Sequence, residues 1–122
     1  MQNRKTEIYG TFGPSCKSRE VLEEMIKDTD ANIILCGHTH IPCGFQTTTK
    51  KTVLNVGSVG RPFTPEPQAC YMILTIEGEK FSVQHHFVNY DNEKAAELMR
   101  ERTFSGAENI ADILINPDKR HV

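Results

Sequence analysis

The sequence predicts an α+β fold in which a mixed or antiparallel sheet is flanked by helices. Three observations lead there: an amphipathic helical stretch near the N-terminus, an unalternated apolar run followed by two hairpin-like pairs of β-prone runs, and two capped helical stretches at the end. Tyr9-Gly10-Thr11-Phe12-Gly13-Pro14-Ser15 reads as a loop, and Ser15 or Ser18 is placed to cap a helix over residues 19–27. Val21, Leu22, Met25 and Ile26 share one face of that helix, so it covers something apolar. Ile33-Ile34-Leu35-Cys36 shows no polar alternation, which suits a central strand buried on both faces and ending at Gly37. Residues 44–49 and 52–56 read as a hairpin with a solvated tip at Lys50-Lys51. Residues 69–76 and 80–90 form a second hairpin around Glu77-Gly78-Glu79, with Phe81, Val83, His85 and Phe87 on one face. Asp91 or Asn92 can cap a helix over 93–102, and Ser105-Gly106-Ala107-Glu108 reads as a capping box before a helix over 107–114.

The composition bounds the function. A chain of 122 residues with 38% hydrophobic and 25% charged residues fits a single globular domain, taken as 1–122. Fourteen Lys plus Arg against sixteen Asp plus Glu give a formal charge of -2, which supplies no polycationic field for general nucleic-acid or anionic-membrane binding. No apolar run approaches the roughly 20 residues that span a bilayer, and Met1-Gln2-Asn3-Arg4-Lys5 leads into no apolar signal core, so a cytoplasmic protein is expected. The four cysteines are then expected to be reduced thiols.

Two segments offer chemistry. In Cys36-Gly37-His38-Thr39-His40, two imidazoles alternate after a glycine that lets the backbone bend; imidazole nitrogen is a ligand for Zn, Mn, Fe and Ni, although two histidines alone hold no catalytic metal and ordinary loop histidines give the same pattern. In Asn55-Val56-Gly57-Ser58-Val59-Gly60-Arg61-Pro62, a Gly-rich bend straight after a strand can offer backbone N–H groups, the Ser58 hydroxyl and the Arg61 guanidinium to a phosphate, or can be a plain loop. Cys36, His38, His40 and Cys43 resemble a zinc set as a list, but so crowded a set needs a tight loop, and Cys36 ends an apolar run where a small buried residue is expected. His85 and His86, adjacent in a strand, face opposite sides and read as packed or solvated histidines.

Taken together, Gly-His-Thr-His closing an apolar strand, a hairpin, and then Asn-Val-Gly-Ser-Val-Gly-Arg-Pro resemble the C-terminal half of calcineurin-like metallophosphoesterases of the small bacterial and archaeal phosphodiesterase type. The resemblance runs through Val88-Asn89-Tyr90-Asp91, over roughly residues 18–115. It implies part of an αββα sandwich in which two divalent metals (Mn, Zn, Fe or Ni) at the strand ends hydrolyse phosphomonoesters or phosphodiesters. By position it implies that His38 binds the second metal, that His40 binds the first, and that Asn55, Ser58 and Arg61 border the substrate phosphate.

The departures shape the expectation as much as the match does. The Asp-x-His, Gly-Asp-x-x-Asp and Gly-Asn-His-Asp motifs and the further histidine that the family places before Gly-His-x-His are absent, no histidine precedes His38, and Val56 stands where Pro is common. The expectation is therefore a phosphoesterase-family chain lacking its N-terminal metal ligands, weak in metal binding and inactive or nearly so alone, with a non-catalytic interaction or scaffold module as the alternative. A homodimer, or completion by a missing N-terminal segment, is expected to cover the edge of strand 33–36.

Overall fold

The computed structural model describes residues 19–119. Helix α1 spans Arg19–Ile26, followed by strands β1 (Ile33–Cys36), β2 (Cys43–Gln46), β3 (Thr52–Asn55), β4 (Ala69–Glu77) and β5 (Lys80–Val88), helices α2 (Asn92–Arg100) and α3 (Ala107–Ile115), and a single 3-10 turn at Pro117–Lys119. The loop at Tyr9–Ser15, the Ser15 and Ser18 caps and Cys16 lie outside the described residues.

β1, β2 and β3 form a mixed sheet in the order β1-β3-β2, with β1 parallel and β2 antiparallel to β3. The expectation that 33–36 is the central strand is corrected: β3 is central and its four residues are all buried, while β1 lies at an edge of the described sheet. The same apolar, unalternated pattern suits an edge strand here because α1 covers one of its faces. Ile34, Val53 and Phe45 fall in one cross-strand row, and Leu22 and Ile26 of α1 pack on that row. Burying a Leu, Ile or Val side chain of this kind stabilises by roughly 1.5–3 kcal/mol. The row makes α1 and the sheet one unit.

The β2–β3 connection is longer than the residues 50–51 expected from sequence. Thr47 N donates to the Lys51 carbonyl at 2.8 Å and Lys51 N to Thr47 Oγ1 at 3.0 Å, so residues 47–51 are turn rather than strand. Lys50 is exposed with φ of 61°, whereas Lys51 folds back, its Nζ bonding the carbonyls of Thr29 and Ala31 just beyond α1.

β4 and β5 form a two-stranded antiparallel hairpin with Glu77 opposite Lys80 and Gly78 in the turn at φ of 62°. The expected face is present: Phe81, Val83, His85 and Phe87 sit opposite Ile76, Leu74, Met72 and Cys70. Asp91 caps α2 as expected, its Oδ1 accepting from Lys94 N at 2.9 Å. The capping box at Ser105 does not form. α3 starts at a Gly106 cap with φ of 93°, and Glu108 turns to Arg100 Nε of α2 at 3.0 Å. No described helix is long and apolar enough to cross a membrane.

Candidate functional site

Parallel pairing decides where the chemistry-bearing residues meet. Cys36, the last residue of β1, is in register with Asn55, the last residue of β3, so the segments leaving both strands emerge side by side. Val56 N donates to the Cys36 carbonyl at 3.2 Å and extends the pairing by one step. Two motifs that lie far apart in sequence are joined in this way at one sheet edge.

Asn55 organises the junction. Only 4% exposed, it donates from Nδ2 to the Gly37 carbonyl at 3.1 Å and to Thr39 Oγ1 at 2.8 Å, while its Oδ1 accepts from Gly57 N at 3.0 Å. Asn55, expected to border a substrate phosphate, is buried, with both amide atoms engaged in shaping the two loops. Gly57 has φ of 81°, and a Cβ there would fall 2.8 Å from Cys70 Sγ, so any side chain at this position meets both strain and a clash.

His38 and His40 flank Thr39, and both are left-handed, with φ of 72° and 61°. That region costs a non-glycine residue about 1–2 kcal/mol, so the surrounding bonds must hold it. His38 is exposed and His40 half-buried. His40 Nδ1 lies 2.8 Å from the Arg61 carbonyl, and Phe63 N donates to the His40 carbonyl at 3.0 Å. A carbonyl only accepts, so Nδ1 donates this bond, which in the neutral imidazole leaves the lone pair on Nε2, the arrangement a metal-binding imidazole needs. Ser58 Oγ accepts from Arg61 N at 2.9 Å, and Arg61 Nε is buried without a hydrogen-bond partner. The structure therefore brings His38, His40, Ser58 and Arg61 into two adjoining loops, with Asn55 at the end of β3 bonded to both.

Two contributors were not evident from the sequence. The Thr39 hydroxyl links the His38–His40 turn to Asn55, and His85 Nε2 donates to the Asn55 backbone carbonyl at 2.8 Å. Alternation along β5 does place His85 on the inward face, but it gives no bonding partner.

Residues 2–79 match the family described as the calcineurin-like phosphoesterase superfamily domain. The chain belongs to that superfamily. Among solved structures it is similar to a conserved protein of Streptococcus pneumoniae TIGR4 described as a predicted phosphoesterase, at 25% identity and a TM-score of 0.49 over 59% of this chain and 42% of that one. It is also similar to Vps29 of Entamoeba histolytica complexed with Zn2+, at 26% identity and a TM-score of 0.46 over 59% and 47%. Vacuolar protein sorting 29 of Cryptosporidium parvum shows 21% identity and a TM-score of 0.39 over 61% and 46%. The chain spans less than half the length of each. Comparison with curated proteins gave no match.

Calcineurin-like phosphoesterases generally bind divalent metals, and the donor set here can be tested for that fit. The His40 tautomer suits a metal. Yet among the described residues no group of three or more His, Cys, Asp and Glu side chains could hold one, so these residues do not complete a metal site by themselves. The sulfur atoms do not fill the gap. Cys36 donates to the Leu54 carbonyl at 3.4 Å, and its thiol, desolvated by burial and next to Cys43, is pushed up to about 11, which disfavours the thiolate a metal would take.

Proposed function

We propose that the two loops at the ends of β1 and β3 are part of a phosphoester-handling site. In this reading His38 and His40 supply two imidazole ligands to a divalent metal centre whose other ligands come from outside the described residues. Ser58 and Arg61 line the phosphate side, and Asn55 holds the loops beneath them. The single observation that supports it best is the geometry of the parallel strand ends, which sets the His40 ring against the Arg61 carbonyl and brings the two motif loops side by side. A bend that carries backbone amides, a hydroxyl and a guanidinium is the kind of segment that suits an anionic, tetrahedral oxygen cluster. The substrate class is a phosphomonoester or phosphodiester.

A second reading, in which the chain is a non-catalytic module that keeps the fold without the chemistry, is consistent with the donor set among the described residues. One experiment separates the two. The chain is titrated with Mn2+ by NMR and assayed on bis-para-nitrophenyl phosphate, beside a variant carrying His38→Ala and His40→Ala. The proposal expects paramagnetic broadening centred on His38 and His40 and absent from the variant, with hydrolysis at or near background in the chain alone. Hydrolysis that the double substitution abolishes would mean that the remaining ligands are supplied after all. Broadening that ignores both histidines would overturn the proposal and leave the scaffold reading.

A further inference from the structure

His85 is out of character with its surroundings. It stands in a row of β5 otherwise made of Phe81, Val83 and Phe87, opposite Met72, and packing alone would be served by another apolar side chain. His85 is half-buried in that row, and its Nε2–H is bonded at 2.8 Å to the carbonyl of Asn55. The tautomer follows, because the carbonyl can only accept. His85 thereby ties β5 to the last peptide of β3, alongside the backbone bond from Cys70 N to the Ser58 carbonyl at 2.9 Å.

The residue it holds is the one that clamps the histidine turn. Asn55 Nδ2 reaches Gly37 and Thr39 and its Oδ1 takes Gly57 N, so a shift of the Asn55 peptide moves three anchors at once. His38 and His40 sit in the left-handed region on either side of Thr39, a conformation that relaxes once its anchors loosen. We propose that His85 is a positioning residue for the His38–His40 turn. By fixing the Asn55 carbonyl it fixes the amide that keeps both imidazoles in their left-handed backbone setting, and it makes the β4–β5 hairpin a support of the strand-end site. Its functional meaning rests on the phosphoester reading, while its structural content can be tested without any metal.

The test compares the full chain with His85→Phe, which keeps a ring of similar size and removes the donor, and His85→Gln, which keeps a donor. Amide and histidine-ring NMR spectra are recorded without metal, and hydrogen exchange is measured at the Thr39 amide, which donates to the Gly37 carbonyl at 2.9 Å. In His85→Phe the Thr39 and His40 signals shift and Thr39 exchanges about tenfold faster, the size expected for one lost net hydrogen bond. The Val53 amide in the core keeps its protection, and His85→Gln returns Thr39 and His40 toward their original positions. Unmoved Thr39 and His40 signals in His85→Phe overturn the proposal. So does His85→Gln displacing them as strongly as His85→Phe, and if His85→Phe does not fold, Thr39 and His40 signals of His85→Gln displaced from those of the parent overturn it by themselves. Failure of the Mn2+ titration leaves this comparison intact, so the two readings fail separately.

Discussion

Cys36 and Cys43 flank Asn55 in one cross-strand row, one on each side. Two strand spacings separate their Cα atoms by about 10 Å, beyond the reach of a disulfide without backbone movement, and both thiols are free. Burial, with Cys43 adding to it, raises the Cys36 thiol from 9.0 to about 11. The folded chain therefore keeps a proton that the unfolded chain releases, so the stability from this group is whole below pH 9 and is lost as the pH rises through 11. In urea unfolding between pH 8 and pH 11 the parent should lose stability more steeply than a Cys36→Ala variant, and parallel slopes would refute the assignment. At this scale the two motifs were legible in the sequence, but not the backbone that holds them. Gly-His-Thr-His and Asn-Val-Gly-Ser were readable because of their residue types, whereas positive φ at His38 and His40 is imposed by the Asn55, Arg61 and Phe63 contacts, which local propensity does not encode.

At the scale of elements, the sheet and α1 are fastened by one long side chain. Lys51 leaves the β2–β3 turn and its ammonium bonds the Thr29 and Ala31 carbonyls, satisfying acceptors in the connection between α1 and β1. A Lys51→Met substitution keeps the apolar stem and removes the charged donor. Hydrogen bonds to charged groups are worth about 1.5–3 kcal/mol, so a loss of about 2 kcal/mol is expected. The fall in the denaturation midpoint checks it, and an unchanged midpoint would show the contact to be idle. Element positions were legible wherever periodicity was strong: 33–36 came out with the expected bounds, and both hairpins formed. Two of the misses share a cause, competition by a tertiary partner. Lys51 was expected in solvent and found two backbone carbonyls; Glu108 was expected to cap α3 and bonds Arg100 instead.

Across the whole molecule, the described strands and helices associate in three groups: α1 with the three-stranded sheet, the β4–β5 hairpin, and α2 with α3. Polar ties between them include Cys70 N to the Ser58 carbonyl, His85 to the Asn55 carbonyl, and Asn92 Nδ2 to the Pro67 carbonyl just before β4. Within the described sheet the outer edge of β1 pairs with no strand, and Ile33, Ile34, Leu35 and Cys36 carry none of the charges, prolines or bulges that normally blunt such an edge. Two copies meeting there about a two-fold axis would pair the same four residues with themselves and join two three-stranded sheets into one. Self-association through β1 is therefore expected, and sedimentation equilibrium should show a mass that rises with concentration toward twice that of the chain. Replacing half-buried Ile33 at the start of β1 by Lys sets a charge on that edge while leaving the buried row Ile34 and Val53 untouched, so Ile33→Lys should hold the mass at that of one chain. A parent that stays at the mass of one chain across the concentration range, or an Ile33→Lys variant that associates as strongly as the parent, would rule out pairing through β1.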